Sequence, residues 1–177
     1  KLVAVIAKLK DFALKYKDLP TLAFTHFQPA QPTTVGKRAT LWMQDLVFDF
    51  ENVENPFVLG VQYPFTDTDI VITNTGFKEL FNGDYEKVKK LDAEVCRKMG
   101  FSGRFLVSGQ TYTRKYDFEM LSILSGIAQS AMKFANDIRL LQSMKEVEEP
   151  FEKTKIGSSA MAYKRNPMRS ERICSLA

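Results

Sequence analysis

The run from Asp117 to Met144 constrains this chain more than any other stretch. Apolar or small residues recur at Phe118, Leu121, Leu124, Ala128, Ala131, Ala135, Ile138 and Leu141, at steps of three and four. That spacing is the period of an α-helix with one apolar face. About 28 residues of it predict a rod of roughly 42 Å at 1.5 Å per residue. A helix this long, with several alanines on its packing face, suits the middle of an elongated helical bundle, including one completed by other copies of the chain. The expected class is mainly α, with no sheet-based nucleotide fold.

The flanking sequence agrees. Leu2, Val5, Ile6, Leu9, Phe12 and Ala13 fall on one face of a first helix over residues 1–18, which Pro20 closes. In "TLAFTHFQPAQP" the prolines at 29 and 32 exclude a regular helix. Thr33 or Thr34 then caps a helix to about residue 53, turning Val35, Ala39, Trp42, Leu46 and Phe50 toward a core. Residues 55–78 are rich in β-branched and turn residues, and "DIVIT" alone reads as a strand. Helical spacing resumes at Asp84, an N-cap, and passes through Val88, Leu91 and Val95 to a stop at Gly100. Past Pro150 the chain is polar and short of structure up to Tyr163, and Asn166-Pro167 reads as N-cap plus first residue of a last helix.

Composition narrows the function classes. With 177 residues, 45% hydrophobic and 26% charged, the chain is one domain or part of a larger one. It opens without methionine and stops at "SERICSLA" in a pattern that still reads as helix, so an internal segment of a longer protein is expected. The net charge of +4 is spread over interleaved acids and bases, as in "DYEKVKKLDAEVCRK", which describes solvated helix faces and no nucleic-acid footprint. Cys96 and Cys174 are far apart and lack metal-site spacing, so no metal and a reduced cytoplasmic setting are expected. No run approaches 18 apolar residues, and "KLVAVIAKLK" is too soon charged for a signal peptide, so no membrane association is expected.

Chemistry concentrates in "GSSAMAYKRNP" at 157–167, where Gly157 frees the backbone before Ser158 and Ser159. In this loop Met161 holds the serine position relative to Lys164, so the Ser-x-x-Lys spacing of acyl-transfer sites is missing there, as is Gly-x-Ser-x-Gly, and "VGKRAT" lacks the upstream glycine of a phosphate loop. The helix opening at Asn166 offers free N–H groups and the positive end of its dipole to an anion, with Lys164 and Arg165 beside it. His26, the single histidine, sits in a proline-rich connector suited to presenting its ring. Each part also has a plain structural reading as loop, cap or solvated charge.

Taken together, "GSSAMAYKRNPMRSE", "EVEEPFEKTKIGSSAM", "LAFTHFQPAQPTTVGKR" and "SGQTYTRK" resemble the fumarase/aspartase superfamily, closely over residues 21–50 and 79–177. The resemblance implies the central helical domain of an elongated protomer, with a signature loop at about 150–166 and amino- and carboxy-terminal domains outside the 177 residues. It implies a homotetrameric bundle with active sites shared between subunits, and cofactor-free elimination of fumarate from adenylosuccinate, leaving AMP, or from the succinylated carboxamide precursor of purine synthesis. By position, Ser158 matches the general base, His26 the general acid and Glu171 the carboxylate that pairs with that histidine from another subunit. Lys164 and Asn166 match groups holding the succinyl carboxylate, while Gln110, Arg172 and Thr25 match substrate contacts. The signature proline is Ala162 here, and the family's "RGVKGTTGTQASF"-like stretch, expected near 58–77, is replaced by "VLGVQYPFTDTDIVITNTGF", which keeps only a Thr/Gly flavour. The rival readings are a non-catalytic helical scaffold and a sibling lyase such as one acting on argininosuccinate. The 177 residues alone are expected to be inactive.

Overall fold

The computed structural model describes residues 1–54, 79–100, 113–150, 160–161 and 163–177. In chain order the described elements are α1 (Leu2–Lys15), β1 (Pro20–Thr25), β2 (Gln28–Thr34), α2 (Val35–Glu54), α3 (Tyr85–Lys98), α4 (Lys115–Ser143) and α5 (Met168–Leu176). They fall in two compact units, one of Lys1–Asp49 with Leu124–Ala177 and one of Phe50–Ile123. The mainly helical class is met, and residues 55–78 lie outside the described residues.

In the first unit, Ala13 of α1, Ala39 and Trp42 of α2, and Ile138 and Leu141 of α4 form a buried core, with Leu9, Phe12, Phe134 and Val147 packed against it. Trp42 meets the edge of Phe134 at 5.0 Å between centroids, and its Nε1–H donates to Asp137 Oδ2 at 2.7 Å. The indole therefore buries its apolar body while its one donor is satisfied. In the second unit, Asp84 accepts from the Lys87 N–H at 3.2 Å, α3 buries Val88 and Cys96, and Gly100 at φ 86 ends the turn.

The caps expected from sequence hold at Asp84 and Gly100, and of the two candidate threonines it is Thr34 that accepts from the Lys37 N–H, at 3.1 Å. Four expectations need correction. The first helix ends at Lys15, and Pro20 instead begins β1. Pro167 is the N-cap of α5 and Met168 its first residue, one position later than Asn166-Pro167 suggested. The long helix buries its apolar stripe only near its end: Phe118, Leu121 and Leu124 are exposed, since no described residue covers them. Residues 20–34, read only as non-helical, form an antiparallel hairpin.

That hairpin carries Pro29 and Pro32 opposite Phe24 and Leu22, with a register irregularity between Leu22 and Phe24. A two-stranded ribbon has only edge strands, where a missing N–H is tolerated. Its base is closed on the helices by Val35 N–H to the Leu19 carbonyl and Gly36 N–H to the Tyr16 carbonyl, both 2.9 Å. Gly36 is needed there, because a Cβ would lie 2.6 Å from Lys17 Cα and closer still to the Ala13 carbonyl oxygen.

Candidate functional site

Thr25 pairs with Gln28, leaving His26 and Phe27 as a two-residue turn with φ of 52° and 58°. Two central residues at positive φ are what a type I′ hairpin turn demands, usually met by Asn-Gly. Histidine and phenylalanine in that region cost on the order of 1–2 kcal/mol each. The hairpin is held in place by Arg38, whose Nη2 donates to the Leu22 carbonyl at 2.8 Å and whose Nη1 donates to Glu146 Oε2 at 2.7 Å. Thr21 Oγ1 donates to the same Glu146 oxygen at 3.1 Å. The Arg38 and Glu146 side chains are only 14% and 22% exposed, so this pair is screened less than a surface ion pair. The result presents His26 at an open depression of about 530 Å³, lined also by Phe24, Arg38, Trp42 and Asp137.

A second cluster forms where α4 ends. Lys145 adopts φ 63°, its N–H donates to the Gln142 carbonyl at 3.2 Å, and the Glu146 N–H reaches the Leu141 carbonyl at 3.0 Å. These are the two bonds of a Schellman stop. Buried Gln142 then donates from Nε2 to the Arg165 carbonyl at 2.9 Å and accepts at Oε1 from the Glu149 N–H at 3.1 Å.

Glu149 in turn accepts from the Arg169 N–H at 3.1 Å, the Ser170 N–H at 2.7 Å and Ser170 Oγ at 2.5 Å. Burial pushes its carboxyl pKa up, but the bonds from Ser170 and Arg169 and the Arg169 charge outweigh burial and hold it below the ordinary value. This revises the sequence reading of the last helix as an open anion site: its first free N–H groups are taken by the chain's own Glu149.

Lys164, Asn166 and Glu171 line one open depression of about 640 Å³, together with Arg139, Lys145 and Arg165. Glu148 lies 3.8 Å from Lys145 Nζ and 3.4 Å from Arg165 Nη1, partly neutralising both. Lys164 forms no ion pair among the described residues. The wall is thus cationic, with one free-standing carboxylate, and suits a ligand bearing carboxylates.

The structure therefore groups Lys164, Asn166 and Glu171, and sets His26 at a different depression; Leu140 lines both. Among the described residues neither His26 nor Glu171 makes a side-chain hydrogen bond or ion pair. Thr25 ends β1 beside His26 and Arg172 follows Glu171 in α5, both exposed and lining neither depression. Ser158, Gln110 and Ala162 lie outside the described residues. Sequence reasoning missed Gln142 and Glu149, although the acidic run "EVEEP" directly before the signature loop was the signal for an inward-turned carboxylate.

The family described as Lyase matches residues 1–177. The chain is 55% identical to adenylosuccinate lyase of Saccharomyces cerevisiae over 178 residues, covering all of this chain and 36% of that protein. It is 49% identical to adenylosuccinate lyase of Schistosoma mansoni, covering 37% of it, and 32% identical to that of Archaeoglobus fulgidus over 174 residues. The chain thus spans about a third of the length of the curated relatives it matches. A class II fumarase from Schistosoma mansoni has the same fold at a TM-score of 0.65 and 17% identity, over 99% of this chain and 39% of the fumarase.

Proposed function

Because the chain belongs to the lyase family, we propose that the protein containing it eliminates fumarate from adenylosuccinate, leaving AMP, and from the corresponding succinylated carboxamide in purine synthesis. The supporting observation is the cation-lined depression in which Lys164, without an ion pair among the described residues, stands with Asn166 and Glu171.

In the reaction a base removes the proton beside a carboxylate, the electron pair forms the carbon–carbon double bond, and the C–N bond breaks with protonation of the departing nitrogen. The difficulty is the second negative charge that builds on the carboxylate, and fixed cations aimed at it lower that barrier. Lys164 and Asn166 hold that carboxylate. Ser158 acts as base. His26 donates to the nitrogen, oriented by Glu171 of another copy. Among the described residues the two side chains are unengaged, which suits such a pairing between copies. Gln110, Arg172 and Thr25 contact the remainder of the substrate. The working form is a cytoplasmic homotetramer with shared sites that needs no cofactor, and exposed Phe118, Leu121 and Leu124 on α4 suit burial against further copies.

The test is fumarate release from adenylosuccinate by the full-length protein, wild type beside Ser158→Ala. General-base loss is expected to lower kcat by about 10²–10⁴-fold with assembly unchanged. Near-normal turnover by the variant would remove the base assignment; a folded wild type that releases no fumarate would remove the proposed activity.

A further inference from the structure

We propose that Gln142 is a positioning residue for the carboxylate-holding side of this site. The inference rests on the function proposed above. Gln142 is 5% exposed, and both ends of its amide are used. Its Nε2 donates to the Arg165 carbonyl at 2.9 Å, and Arg165 is the residue between Lys164 and Asn166. Fixing that carbonyl fixes the peptide plane that joins Arg165 to Asn166, so Asn166 hangs directly from it and Lys164 one residue before it.

Its Oε1 accepts from the Glu149 N–H at 3.1 Å, and Glu149 caps the first N–H groups of α5, the helix that carries Glu171. One buried amide on the rigid end of α4 therefore sets both sides of the depression, from residues 16 apart in sequence. Exposed Lys164 and Asn166 have no packing of their own to hold them to the geometry a carboxylate requires. A buried amide with both halves satisfied has essentially one orientation, which is the property a positioning group needs.

Gln142→Leu keeps the bulk and removes both bonds. In the full-length protein we expect fumarate product inhibition to weaken about tenfold, while AMP inhibition stays within about twofold, since two neutral hydrogen bonds are worth roughly a factor of ten or more together. Gln142→Glu at neutral pH keeps an acceptor for Glu149 but sets a carboxylate oxygen against the Arg165 carbonyl, and should weaken fumarate inhibition at least as much as Gln142→Leu.

Unchanged fumarate inhibition in Gln142→Leu, or equal weakening toward fumarate and AMP, overturns the inference, the latter because a purely structural role damages both. If Gln142→Leu does not fold, Gln142→Glu decides alone: wild-type fumarate inhibition overturns the inference and selective weakening supports it. A wild type that releases no fumarate is a failure of the proposed activity, read before any variant is made.

Discussion

Replacing Gly36 with alanine places a methyl group where the end of α1 crosses the start of α2. Its Cβ would lie 2.6 Å from Lys17 Cα and 2.8 Å from Lys17 N, with the Ala13 carbonyl oxygen closer still. Non-bonded carbons rest at about 3.5–4.0 Å, so the two backbones must part by roughly 1 Å. Those three atoms are all backbone and cannot swing aside, and Ala13 and Ala39, 7% and 0% exposed, lie in the same core. Overpacking of this kind costs about 1–3 kcal/mol. The Val35-to-Leu19 and Gly36-to-Tyr16 bonds, both 2.9 Å, would stretch with it, at about 1 kcal/mol each. The better helix propensity of alanine returns up to about 1 kcal/mol.

The net is about 2–4 kcal/mol, or a Tm lower by about 4–16 °C for a domain of this size. Thermal unfolding of the full-length protein, followed by circular dichroism, measures it. The matched change Gly126→Ala in α4 meets, among the described residues, only Asp49 Oδ1, at 3.4 Å, and should leave Tm unchanged or slightly raised. Because the two stretched bonds close the base of the hairpin that presents His26, kcat should fall with Tm. A Gly36→Ala Tm within about 1 °C of wild type would refute this account of the crossing.

Arg38→Lys keeps the charge but not the fork that reaches the Leu22 carbonyl and Glu146 together. It should lower Tm by a few degrees, about 1–2 kcal/mol, and lower kcat through the hairpin, read by melting and by fumarate release. For Glu149, whose pKa is depressed in the folded protein, the stabilisation is present above the ordinary glutamate value of about 4.3 and is lost as pH falls through the lower folded value. Glu149→Gln should therefore be less stable than wild type at pH 7, with the gap closing as the buffer is acidified toward pH 3 (both about) in a series of denaturant titrations. A gap that is constant with pH would show that the carboxylate charge contributes nothing.

The parts of the fold legible in the sequence were those set by local rules. Asp84, Thr34 and Gly100 mark helix ends because a side-chain oxygen or a missing Cβ acts within one turn. The stripe from Ala135 to Leu141 is legible because burial repeats with the helix period. The hairpin was not, since its strands contain three prolines and its turn has His-Phe where Asn-Gly is favoured. What holds it is Arg38 with Glu146, 108 residues apart, and no local pattern encodes such a pair.

The same holds at the candidate site. Lys164, Asn166 and Glu171 were found through their motif, and they do share one depression. Gln142 and Glu149, which set them, act through backbone groups of distant residues, so any sequence that presents an N–H and a carbonyl there would serve. The capping role of Glu149 was hidden for a further reason: the helix start, read as a positive dipole end with free N–H groups, was assigned to an external anion.

Trp42 is the single tryptophan of these 177 residues, and it forms a wall of the depression that carries His26. Its ring is 6% exposed, its N–H is held by a carboxylate, and Phe134 stands at its edge. Indole emission shifts in colour and yield with the polarity and fixed charges around the ring. This wall therefore carries its own optical reporter: a charged molecule arriving beside His26, or a displacement of the hairpin, would register in the ultraviolet fluorescence of the unlabelled chain.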